Sequence, residues 1–122
     1  MSAVTGQISW VYTKKLAPCV SFYRDALGLD VVRDAGTAMI FATGDGARIG
    51  VCEVFADRVV EPKGGMITLL VDGEASVDTW FARLEAAGVV AQGPPEKMER
   101  FGIYSFFVQD PNGYLIEVQC FL

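Results

Sequence analysis

The stretch QISWVYTKKLAPCVSFYRDALGLDVVR, residues 7–33, changes its hydrophobic period twice. Ile8, Trp10 and Tyr12 alternate with Val11 and Thr13, the period-two pattern of a strand with two different faces. Cys19, Phe22, Tyr23, Ala26 and Leu27 then recur at i, i+3, i+4, i+7 and i+8, so residues 18–27 read as an amphipathic helix. Pro18 suits the first turn, where a missing N–H is harmless, and Gly28 supplies the left-handed residue that ends a helix. From Leu29 the strand period returns and runs to Arg33. Strand, helix, strand is the reading on which the rest depends.

Two further strands follow, over 37–43 and 47–54, set off by the turn compositions Asp34-Ala35-Gly36 and Gly44-Asp45-Gly46. Past the polar connector Glu61-Pro62-Lys63-Gly64-Gly65 the same order begins again. Residues 66–71 read as a strand, and Val77, Trp80, Phe81 and Leu84 mark a helical face that ends at Gly88. Strands over 89–91, 103–109 and 114–120 complete the second set. Asp110-Pro111-Asn112-Gly113 joins the last two, because Asp first, Pro second and Gly last fit a tight turn mechanically. The chain is therefore an α+β protein built from two βαβββ modules, about 6–58 and 64–122, in one domain spanning 1–122. A helix covers one face of each sheet, so the two free faces are expected to curve around a cleft.

Composition narrows the chemistry further. Ten Lys and Arg against fifteen Asp and Glu leave a net charge of −5, without the basic footprint that phosphate backbones or anionic membranes require. The sequence has no histidine, which excludes Ser-His-Asp and Cys-His pairs, HExxH helices and imidazole-centred zinc sites. Cys19, Cys52 and Cys120 are odd in number and lack CxxC spacing, as expected of a reducing, cytoplasmic setting. Met1 to Gln7 carries no signal-like apolar run, and no later stretch is long enough to span a bilayer. Neither nucleic acid nor membrane is an expected partner.

Phe22-Tyr23-Arg24-Asp25-Ala26-Leu27-Gly28-Leu29 and Asp110-Pro111-Asn112-Gly113-Tyr114-Leu115-Ile116-Glu117, in this order, resemble the vicinal oxygen chelate superfamily. That superfamily includes glyoxalase I, bleomycin resistance proteins, extradiol dioxygenases and fosfomycin resistance enzymes. The resemblance covers nearly the whole chain and implies the paired βαβββ fold. In metal-using relatives, four cleft-facing strand positions, two per half, carry His, Gln or Glu ligands. Counting from the two motifs, these positions fall here on Ile8, Gly50, Met66 and Glu117. Only Glu117 binds a hard cation, and one carboxylate falls short of the three or four protein ligands expected. No metal and no other cofactor is expected.

Strand parity supplies the lining without the resemblance, since residues two apart share a face. Trp10 and Tyr12 go with Ile8, Arg48 and Cys52 with Gly50, Thr68 and Leu70 with Met66, and Leu115 and Gln119 with Glu117. The opposite parity, including Ile49, Val51, Ile67, Leu69, Ile116 and Val118, is almost wholly aliphatic and belongs under the helices. The candidate ligand-binding residues are Trp10, Tyr12, Arg48, Met66, Thr68, Leu115 and Gln119, with Glu117 as the candidate catalytic carboxylate. Each has a plainer alternative: packing or dimer contact for the aromatics, a solvated charge for Arg48, and a relic of the family pattern for Glu117. Cys52, with no histidine to make a thiolate, reads as a small hydrophobe.

Two functions compete, beside a third reading as a structural or regulatory dimer with an empty cleft. The first is metal-independent binding of a small, flat, apolar ligand bearing one anionic or accepting group, as the resemblance to the bleomycin (antibiotic) resistance branch implies. The second is a glyoxalase-like lyase or isomerase, and less readily a dioxygenase, with Glu117 as base and Arg48 as its charge partner. The resemblance also implies a homodimer, with the strand carrying Trp10 and Tyr12 contributing to a shared cleft.

Overall fold

The computed structural model describes residues 2–122; Met1, where the polar leading stretch begins, lies outside them. The described chain forms two compact units, one reaching to Glu61 and the other Pro62–Leu122. Each is a βαβββ module.

In the first unit, β1 (Gln7–Thr13), α1 (Leu16–Ser21), β2 (Asp30–Asp34), β3 (Ala38–Gly44) and β4 (Ala47–Glu53) follow in sequence. The sheet order is β1-β4-β3-β2, with β1 parallel to β4 and the other pairs antiparallel. The helix starts two residues before Pro18, which still falls in its first turn, where no N–H is missed. It does not run regularly to residue 27. Residues Phe22–Ala26 form a wider π turn, in which the Leu27 N–H donates to the Phe22 carbonyl at 2.9 Å. Widening lets the consecutive rings of Phe22 and Tyr23 both face the core, edge to face at 5.1 Å, with Tyr23 also 5.9 Å from Phe41. Gly28 then takes φ +68°, the left-handed conformation expected of it. Val11, Leu27, Phe41, Ile49 and Val51 complete this core.

The second unit repeats the plan with β5 (Met66–Leu70), α2 (Glu74–Ala86), β6 (Glu96–Met98), β7 (Ile103–Gln109) and β8 (Leu115–Phe121), in sheet order β5-β8-β7-β6. Helix α2 buries Val77 and Leu84 and sets Phe81 edge to face on Phe106 at 5.3 Å. The turn before β8 is held by Asp110, whose carboxylate accepts from the N–H groups of Asn112 and Tyr114 at 2.8 and 2.9 Å.

One strand differs from the sequence reading. The expected strand at 89–91 is a loop, and β6 starts at Glu96. The helix end consumes the N–H groups that a strand there would need: Gly88 donates to the Glu85 carbonyl and Val89 to that of Leu84, with Gly88 at φ +83°. Pro94 and Pro95 then have none to give. Only the Gln92 N–H reaches β7 from this segment, at the Phe107 carbonyl.

On the helix-covered side, the Tyr104 hydroxyl donates to Asp78 at 2.6 Å, and this bond pushes the phenol up to about 12. The bond stabilises the fold fully below the ordinary phenol value near 10 and ceases to do so as pH rises through about 12. Phenolate absorbance should show Tyr104 ionising near the upper value. That step should disappear in Tyr104→Phe and move down in Asp78→Asn; an unchanged titration in Asp78→Asn would contradict the assignment.

Candidate functional site

The face of each sheet turned away from its helix carries all the residues singled out by parity. In the first unit, β1 and β4 run parallel in a register that places Ile8 beside Arg48, Trp10 beside Gly50 and Tyr12 beside Cys52. The alternate residues Val11, Ile49 and Val51 are buried against the helix side, so parity is correct for this sheet. The decisive feature is Gly50. A Cβ built there would land inside the indole of Trp10, against Cε3, Cζ3 and Cδ2. The indole thus lies directly on the bare backbone of β4, and Trp10 is still 40% exposed on its outer side. Tyr12 continues the aromatic row toward Phe55, with ring centroids 6.3 Å apart. Arg48 is half-buried on the same face.

In the second unit, β5 and β8 place Met66 beside Leu115, Thr68 beside Glu117 and Leu70 beside Gln119. Glu117 is only 3% exposed. The Thr68 hydroxyl donates to its Oε1 at 2.8 Å. The Gln119 amide, oriented so that nitrogen faces the carboxylate, donates toward Oε1 and Oε2 at 2.9 and 3.2 Å. Three of the proposed residues therefore form one hydrogen-bonded group, while Met66 and Leu115 supply its apolar border. Trp10, Tyr12 and Arg48 are grouped separately on the first sheet.

Two neighbours escaped the sequence reading. Phe107 pairs with Glu117 across β7 and β8, and Ser105 pairs with Gln119, so both share the open face. The signal was present, because each residue of this hairpin pairs with the one equally distant on the other side of Asn112.

The donor set does not fit the divalent metal of the metal-using relatives. Ile8 and Met66 have no ligating oxygen or nitrogen, Gly50 has no side chain, and Glu117 is already engaged by Thr68 and Gln119. Among the described residues no three Cys, Asp or Glu side chains come together as a metal-binding group. Cys52 is no better as a nucleophile: burial, with a further contribution from the Glu53 charge, pushes its thiol up, away from the reactive thiolate.

The sequence profile of the glyoxalase/bleomycin resistance protein/dioxygenase superfamily matches residues 5–118. The chain belongs to that superfamily. No curated protein matches it in sequence. Among solved structures, a glyoxalase/bleomycin resistance protein/dioxygenase from Nocardioides aligns with a TM-score of 0.80 at 20% identity, covering 100% of this chain and 86% of that one. A lactoylglutathione lyase from Agrobacterium tumefaciens aligns with a TM-score of 0.78 at 26% identity, covering 93% and 91%. An integron cassette protein from the mobile metagenome of V. Cholerae aligns with a TM-score of 0.75 at 19% identity, covering 100% and 98%. Superfamily membership accounts for the repeated module and leaves the activity to the residues just described. No helix among the described residues is long and apolar enough to cross a membrane.

Proposed function

We propose that this superfamily member binds a small, flat, apolar or aromatic molecule without a catalytic metal. The lining we propose is, in each unit, the sheet face turned away from the helix. The observation that carries the reading is the Trp10 indole seated on Gly50. Where a metal-using relative is expected to hold a ligating side chain, this chain offers a bare backbone and an aromatic plate. Trp10, Tyr12, Met66 and Leu115 give the apolar surface, and Arg48, Thr68, Gln119 and Glu117 give the polar groups that orient a guest. Sequestration of a toxic compound in the cytoplasm, an antibiotic-resistance role, is the corresponding biology.

The test uses Trp80→Phe protein, which leaves Trp10 as the sole tryptophan, titrated with the neutral probe naphthylmethanol in the presence of a chelator. The expected result is saturable quenching of Trp10 emission, unaffected by the chelator. Absence of a saturable change, or a change that requires added divalent metal, contradicts the proposal.

The similarity to a lactoylglutathione lyase favours a second reading, a glyoxalase-like lyase or isomerase with Glu117 as proton acceptor. It is the weaker one. An enolate needs donors or a cation to stabilise it, and the hydroxyl of Thr68 and the amide of Gln119 are already turned to Glu117. We also propose a homodimer in which the strand carrying Trp10 and Tyr12 contributes to the site, two-fold pairing being the commonest assembly. Sedimentation should give a dimer at micromolar concentration, and a monomer there contradicts it.

A further inference from the structure

The polar groups on the open face of the second sheet have spent their donors on one another. Thr68 gives its only hydroxyl proton to Glu117 Oε1, and the Gln119 amide nitrogen is turned to both carboxylate oxygens. Ser105, on the same face beside Gln119, donates to the Met98 sulfur at 3.7 Å. What remains to meet a guest is lone pairs: those of Glu117 not taken by two neutral donors, the Gln119 carbonyl oxygen, and the hydroxyl oxygens. Around them lie Met66, Leu115 and Phe107, which are apolar.

Glu117 is the unusual member. The residue is 3% exposed, yet among the described residues no lysine or arginine forms an ion pair with its carboxylate. Buried carboxylates are ordinarily matched by a cation, because two neutral donor groups only partly replace lost hydration. An anionic guest at this face would meet only acceptors. A cationic guest would complete a carboxylate that the protein leaves short. The chain's net charge of −5 draws the same class of molecule toward it.

We infer that the group a ligand presents to the second sheet is a protonated amine, or another cationic N–H donor, carried on an apolar or aromatic body and anchored by Glu117. The inference rests on the binding reading above and names the chemistry of its guest. Arg48 favours the opposite charge on the first sheet. It is half-buried and solvent-screened, whereas Glu117 lies in a low-dielectric setting where a charge partner counts for more.

Three probes sharing one ring system separate these possibilities: naphthylmethylammonium, naphthylmethanol and naphthoate, titrated calorimetrically into the intact protein. The ammonium should bind at least about tenfold more tightly than the carboxylate, a difference of about 1.4 kcal/mol. In Glu117→Gln the ammonium should lose its advantage and bind within about twofold of the alcohol. Thr68→Val, which removes one neutral donor from Glu117, should widen the preference for the ammonium. If naphthoate binds wild-type protein as well as the ammonium or better, Arg48 sets the ligand class and this inference is overturned while the binding reading stands. If the alcohol binds and the ammonium does not exceed it, the inference is likewise overturned. If none of the three binds, the binding reading itself fails.

Discussion

Phe106→Ala is expected to destabilise the protein by about 3–5 kcal/mol, with a fall in melting temperature on the order of 10–20 °C. Phe106 is 2% exposed, pairs with Val118 on β8 and meets the edge of Phe81 from α2. Truncation removes the ring that joins helix to sheet and leaves a cavity that neighbouring strands cannot close without losing their ladder. Phe121, on the same sheet but on its open face and 69% exposed, provides the control. Phe121→Ala should change stability by no more than about 0.5 kcal/mol. Chemical denaturation of both variants checks the assignment of faces, and equal losses would contradict it.

The second large effect is on binding. Trp10→Ala should weaken a planar aromatic ligand by about 1–3 kcal/mol, or roughly 5- to 150-fold, through lost stacking area. Gly50→Ala approaches the same point from beneath. The added methyl cannot share space with Cε3 and Cζ3 of the indole, so the ring must tilt away from the sheet while β4 keeps its pairing. The expected result is weaker binding together with a red-shifted Trp10 emission, in a protein whose fold is retained by circular dichroism. A Gly50→Ala variant with wild-type affinity and unchanged emission would remove Trp10 from the site.

The periodicity that decided the fold was legible because each sheet turns one face to a helix and the other away from it. Alternation such as Ile8, Trp10 and Tyr12 against Val11 and Thr13 therefore records real surroundings. The turn at Asp110 was legible for a local reason, its carboxylate being held by the next few N–H groups. Long-range facts were not. Parity placed Gly50 and Trp10 on one face, but only the parallel register sets one directly beside the other, and no local signal fixes the register of strands separated by so much chain. The same holds for Thr68 beside Glu117. The false strand at 89–91 arose because Val89, Val90 and Ala91 look like a strand by composition, whereas their hydrogen bonding is decided by the helix cap before them and the prolines after. The π turn at Phe22 likewise leaves the apolar spacing nearly helical and shows itself only in the hydrogen bond to Leu27.

The measurement that bears most directly on metal-independent binding is a calorimetric titration of chelator-treated protein with Zn²⁺, Mn²⁺ and Ni²⁺. With Ile8, Gly50 and Met66 unable to ligate and Glu117 held by Thr68 and Gln119, no stoichiometric binding is predicted for any of the three ions. One equivalent of metal taken up per chain, and lost in Glu117→Ala, would contradict the account.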